Sequence, residues 1–256
     1  MATQNARSKK KPPIDAYKEN VEDALWLVRH AEVLTHTNKN RMQSVLRTSV
    51  GNTFHIPKKN QTNMDYIQNG EIILIFRDET KYGRKNIANL QPLLRPAVVA
   101  VCAAFETYLA DRVMTAVGDV LRAKTPAPRL KRISLSAYDW MEIEQMKNRG
   151  AGMRRIVERY VRENSSTSPT KVGELLALIG VEKWAQQLDR RRRVPNGTTV
   201  EQLTAITERR NKIAHAADRK GRSRGTLAIQ QVRDYIAQAD SIVNAVEGIL
   251  TKPKVP

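Results

Sequence analysis

Apolar residues recur along most of this chain at three- and four-residue intervals, the spacing of one face of an α-helix. Between about 16 and 38, Ala24, Leu25, Leu27, Val28, Ala31 and Leu34 form such a stripe. From about 92 to 118 the apolar positions cover nearly the whole wheel. Val98, Val99, Val101, Ala104, Phe105, Leu109, Val113 and Met114 leave little polar face, and Pro92 and Pro96 suit a first turn. A helix apolar all round belongs at the centre of a core. Ser136 with Asp139 has capping-box spacing, and helical character then runs to about Arg162, with a break expected at Gly150 and Gly152. A further helix is expected over about 170 to 188, carrying Leu175, Leu176, Leu178, Ile179 and Trp184.

The last two helices have the clearest pattern. Thr199 with Gln202 has capping-box spacing, so a helix is expected from Val200 to near Ala217. The final one runs from about 227 to 250. Its Ile229, Val232, Ile236, Ala239, Val243, Val246 and Leu250 alternate by threes and fours, a seam that needs a partner helix. Glu71-Ile-Ile-Leu-Ile-Phe76 is short and β-branched; a strand and a buried helical turn both fit it. Residues 77–89 read as a basic loop, and so do residues 124–136. The expected fold class is all-α: a bundle of four to five core helices, with N-terminal helices and insertions. Residues 16–250 form one domain, residues 1–15 a disordered basic arm and residues 251–256 a disordered tail.

Charge narrows the set of partners. Lys and Arg total 44 against 26 acidic residues, a formal charge of +18. That balance favours nucleic acid or an anionic surface. The single cysteine, Cys102, excludes a disulfide framework and a thiolate metal cluster. The N-terminus has no apolar signal region, and the longest apolar run, Ala97 to Phe105, is far short of the roughly 20 residues of a membrane span. No membrane partner is expected, and a reducing cytoplasm is the expected compartment. No glycine-rich phosphate loop occurs. His30, His36 and His55 lack ligand spacing and read as surface or packing residues, so neither metal nor cofactor is expected.

The candidate chemistry lies in Arg209-Arg210-Asn211-Lys212-Ile213-Ala214-His215. On a wheel of about 100° per residue, Arg210 falls inside the stripe made by Leu203, Ile206, Ile213 and Ala214. Asn211 and His215 fall together at its edge. A guanidinium within a buried stripe is costly unless it pairs with an acid, lines a cavity or faces another subunit. Glu106, on the central helix, is the acid expected to pair with it, although Glu106 could instead sit on an exposed edge. Asn211 is placed to reach the His215 ring at i, i+4. In the last turn the helix dipole favours a protonated imidazole; a histidine there can also simply cap free carbonyls. Arg209, Lys212, Arg190, Arg191, Arg192, Arg193, Arg219 and Lys220, with Arg222 and Arg224, are candidates to hold an RNA backbone, or else plain solvated charge.

Arg210-Asn211-x-x-x-His215 resembles the RNxxxH motif of HEPN domains, in the branch called RiboL-PSP-HEPN. The likeness extends over roughly residues 90–250, from the central Ala103–Leu109 helix through the RRNKIAHA helix to the heptad-like last helix. It implies a helical bundle that dimerises with two motifs at the interface. It also implies a metal-independent endoribonuclease, in which Arg210 stabilises phosphoryl charge and His215 moves the proton, giving a 2′,3′-cyclic phosphate. Many such proteins are toxins or anti-phage effectors, so an antitoxin or regulatory partner is implied too. Some members carry a tyrosine two residues after the histidine that a partner enzyme modifies; here that position is Ala217. Inactive binding modules also occur in the family. The alternative expectation is therefore a non-catalytic module that binds nucleic acid or protein.

Overall fold

A computed structural model describes residues 11–36, 40–41, 43–53, 55–61, 64–69, 72–77, 90–122, 128–216, 219–220 and 223–250. Most of the expected basic arm, the C-terminal tail, nearly all of the 77–89 loop and residues 124–127 lie outside these. The fold is helical. In chain order come α1 (Pro13–His36), β1 (Asn40–Arg41), α2 (Ser44–Thr53), α3 (Lys58–Gln61), β2 (Met64–Asn69), β3 (Ile72–Arg77) and α4 (Gln91–Arg122). A 3-10 turn (Pro128–Arg132), α5 (Ala137–Gln145), α6 (Arg149–Asn164), α7 (Pro169–Leu178), α8 (Trp184–Arg192) and α9 (Thr198–Ala216) follow. The short strands β4 (Arg219–Lys220) and β5 (Ser223–Arg224) precede α10 (Ile229–Leu250).

The chain divides into two compact units where the sequence suggests one domain. One comprises Met1–Ala24, Val98–Gly225 and Asp234–Pro256; the other comprises Leu25–Ala97 and Thr226–Arg233. In the second unit β1, β2 and β3 form an antiparallel sheet, with Met64 opposite Arg77 and Asn69 opposite Ile72. Of the two readings of the 71–76 run, residues 72–76 take the strand one, within Ile72–Arg77. Gln91 ties this unit to its C-terminal segment: its amide donates to the Leu227 carbonyl and accepts from the Leu227 N–H, both at 2.9 Å.

The first unit holds the main core. Val98, Val101, Cys102, Ala104, Phe105, Tyr108, Leu109, Val113 and Val117 of α4 are buried, as are Ile236, Ala239, Val243 and Val246 of α10. α4 is long and apolar enough to cross a membrane by composition alone, yet 56% of its most apolar window is buried inside the protein, as a core helix would be. Polar groups in this core are paired. Tyr17 Oη donates to Asp240 at 2.7 Å, and Tyr108 Oη donates to Glu247 at 2.9 Å. Arg112 holds the same Glu247 carboxylate at 3.1 Å.

Three helix boundaries differ from the sequence reading. The expected 170–188 helix is two helices, because Gly180 takes φ +86° and closes a left-handed cap. There the Val181 N–H donates to the Leu176 carbonyl and the Gly180 N–H to the Ala177 carbonyl, both at 3.0 Å. The break before α6 falls at residues 146–148 and not at the glycines, because Asn148 caps the new helix through the Ala151 N–H. Gly150 and Gly152 then lie inside its first turns. The Ser136–Asp139 capping box forms as expected. That at Thr199–Gln202 does not, since Thr199 is drawn into a different network.

Candidate active site

The motif helix α9 is fixed at its N-terminal end. Asp189, in the last turn of α8, is buried and accepts from the backbone N–H groups of Gly197 (2.7 Å) and Thr199 (2.9 Å). A carboxylate there satisfies donors that the first turn of a helix leaves open. The Thr199 hydroxyl donates to Asp189 Oδ1 and accepts from Arg192 Nη1. Arg192 also donates through Nε to Ser241 (2.9 Å) and through Nη2 to Gln202 (2.5 Å). Burial pushes the Asp189 carboxyl up, but the Thr199 and Gly197 hydrogen bonds and the Arg192 charge outweigh it, and the group ends below its ordinary value. Arg192 is therefore a structural clamp. Its expected role on RNA is corrected, because each guanidinium nitrogen already donates within the fold.

The other end of α9 is built differently. Leu203 and Ile206 are buried, then the stripe rises to the surface: Arg210 is half-buried, Ile213 is partly exposed and Ala214 is exposed. Arg210 faces Glu106 as the wheel suggests, with Nη2 3.9 Å from Oε2. That is an ion pair but longer than a hydrogen bond. Arg210 Nη1 donates to Asn211 Oδ1 at 3.2 Å. Among the described residues no other group takes the guanidinium's N–H bonds, so part of its fork is open to an incoming acceptor.

Glu106 is held by the turn between α6 and α7. The Thr167 N–H donates to its Oε1 at 3.3 Å, and the Ser165 hydroxyl donates to its backbone carbonyl at 3.0 Å. A hydrogen bond between the hydroxyls of Thr207 and Thr167 (2.9 Å) ties the same turn to α9. Burial raises the Glu106 carboxyl, while Arg210 and the Thr167 N–H pull it back. One turn earlier on α4, burial and the neighbouring Glu106 charge push the Cys102 thiol up to about 12. At neutral pH it stays protonated and is no nucleophile. Residues 165–167 were not legible as part of the site: they lie far from both Glu106 and Thr207 in sequence, and nothing local marks them.

His215 stands exposed in the last turn of α9. Asn211 does not hold its ring; the amide oxygen is turned to Arg210, and no described residue hydrogen-bonds the imidazole. Lys212 is exposed and pairs loosely with Glu208 at 3.7 Å. Arg209 is partly buried, whereas Arg190, Arg191 and Arg193 are exposed. Arg219 and Lys220 lie on β4, beyond the motif helix; their side chains fall outside the described set. His30 packs against Trp26 with ring centroids 3.8 Å apart and contacts its carbonyl, a packing role. Among the described residues no three His, Cys, Asp or Glu side chains converge as a metal site would need.

A family model described as RiboL-PSP-HEPN matches residues 65–252 of the chain. That span takes in all but the first residue of β2, together with β3, the central helix α4, both ends of the motif helix and all of α10. No curated protein matches the chain, and no solved structure does.

Proposed function

Because the chain belongs to the RiboL-PSP-HEPN family, whose domains have RNA-related functions, we propose that it is a metal-independent endoribonuclease. The observation that carries this reading is the half-satisfied guanidinium of Arg210, oriented by Glu106 and Asn211 within two turns of an exposed imidazole. RNA supplies its own nucleophile. The 2′-oxygen forms a bond to the adjacent phosphorus, the P–O5′ bond breaks, and the products are a 2′,3′-cyclic phosphate and a free 5′-hydroxyl. The 2′-hydroxyl loses a proton and the leaving 5′-oxygen gains one. Arg210 meets the charge that develops on the non-bridging oxygens, where a bidentate fork fits. His215 transfers one proton. A second copy of the chain brings a second histidine for the other proton. The exposed Ala214, on the apolar stripe beside Arg210, is a surface suited to that second copy.

The test is cleavage of RNA in the presence of EDTA, with end-group analysis. The wild type is expected to leave cyclic-phosphate ends, and Arg210→Ala and His215→Ala to leave RNA intact while keeping their helical circular-dichroism signal. Full activity in either variant overturns the assignment. A role as a toxin or anti-phage effector, held by an antitoxin or regulatory partner, follows from the same reading: induction of the wild type should arrest growth and induction of His215→Ala should not. The second reading, a non-catalytic binding module, draws on the imidazole having no residue that orients it among the described residues. RNA binding with no strand breaks under any condition would select that reading.

A further inference from the structure

A second basic cleft lies away from Arg210, wholly inside the unit that contains residues 98–225. Its volume is about 660 Å³, within the rough range of 300–1,000 Å³ for small-ligand sites. The 3-10 turn, α7 and the turn leading into α8 form its walls. Arg129, Arg132 and Lys183 line it with Glu182 as the lone lining acid, and no described carboxylate pairs with any of the three cations. Arg129 Nε is shielded from solvent and has no hydrogen-bond partner among the described residues. A buried donor left unmatched is unfavourable, and an anionic oxygen would relieve it.

Two glycines set the walls. A Cβ at Gly180 would stand 2.5 Å from Arg129 Nη1, so the guanidinium rests on bare backbone at a residue that already needs its positive φ. A Cβ at Gly173 would meet Trp184 Nε1 at 2.5 Å, so the indole edge rests on bare helix. The ring is partly exposed and forms one wall of the cleft. Forked cations beside an aromatic face are complementary to a phosphate attached to a flat base.

We propose that this cleft binds a nucleotide unit, its phosphate on Arg129, Arg132 and Lys183 and its base against Trp184. A free nucleotide and one residue of a single strand present the same phosphate–base pair. The inference stands apart from cleavage at Arg210. Isothermal titration of the full chain with AMP, with a non-cleavable 2′-O-methyl hexaadenylate and with inorganic phosphate tests it. AMP should bind more tightly than phosphate. Arg129→Ala and Trp184→Ala should each weaken AMP about tenfold or more, while Trp184→Phe, which keeps a ring, recovers most of the loss. Lys183→Ala, at an exposed position, should weaken AMP with no change in thermal midpoint. If the same substitutions weaken the hexanucleotide, the ligand belongs to a strand; if they affect AMP alone, it is a free nucleotide. AMP and hexanucleotide titrations unmoved by Arg129→Ala, Lys183→Ala and Trp184→Ala would overturn the proposal. A chain that binds AMP here yet never cuts RNA would keep this inference and remove the nuclease reading, and the converse result would do the reverse.

Discussion

Arg192 closes α8 beside the start of α9, and Arg210 lies in the second half of α9; each has a carboxylate near it, and the two arrangements are built to different ends. Arg192 donates to Ser241, Thr199 and Gln202, and its acid Asp189 takes the backbone N–H groups that open α9. All three of its nitrogens are engaged. Arg210 lies 3.9 Å from Glu106 and gives one hydrogen bond to Asn211. Its carboxylate steers the guanidinium without filling it. A saturated pair fixes a fold, whereas an unsaturated one keeps capacity for a ligand, and the partners, not the charge, make the difference.

The sharpest way to break this contrast is kinetic. Arg210→Ala and His215→Ala should each lower RNA cleavage by about 10² or more, with unfolding free energies within about 0.5 kcal/mol of wild type, because both side chains are at least partly exposed. Arg192→Ala should do the opposite: lose stability, and keep its cleavage rate per folded molecule. A variant of Arg192 that is fully stable and inactive would erase the distinction between the two ends.

Asp189→Ala comes next in size. It removes the acceptor for two backbone donors and the Thr199 hydroxyl and leaves Arg192 without its counter-charge. Leaving buried donors unmatched costs about 1–3 kcal/mol each, read as a lower urea midpoint with an unchanged slope. Smaller again is Arg190→Ala. This exposed cation should reduce RNA affinity a few-fold and lower the slope of log K against log salt by about 1; Arg192→Ala should leave that slope alone.

Much of this arrangement is legible from spacing. The stripe Leu203, Ile206, Arg210 forces the question of what neutralises a cation on an apolar face, and Glu106 answers it as expected. The run Arg190–Arg193 was less readable, since four like charges carry no mark of which one turns inward. Leu188 held the missing signal: Arg192 follows it by one helical turn and so shares its buried face. Asn211 went the other way. Its i, i+4 relation to His215 is real, yet a single side-chain rotation serves Arg210 next to it, and sequence spacing does not choose between rotamers. The strand Met64–Asn69 was missed because its polar and apolar residues alternate weakly, and its pairing with Ile72–Arg77 supplies the order that propensity does not.

The smallest effect separates the two carboxylates by pH. Asp189 sits below its ordinary value of 3.8, so its contribution to stability is present above that pH and is lost as pH falls through the folded value. Glu106 sits above its ordinary value of 4.5, chiefly from burial, so the protonated form is the one the fold favours. Its contribution is full below 4.5 and declines as pH rises through the folded value. Wild type minus Glu106→Gln should therefore shrink between acid and neutral pH, by less than about 1 kcal/mol, because the glutamine escapes the cost of a buried charge. Wild type minus Asp189→Ala should grow over the same climb. Chemical denaturation of both variants from pH 3 to pH 7 gives the two slopes. Opposite signs keep the closed and open ends distinct. Equal signs would mean that Glu106 is stabilised as an anion as fully as Asp189, and that the Arg210 fork is already spent on it.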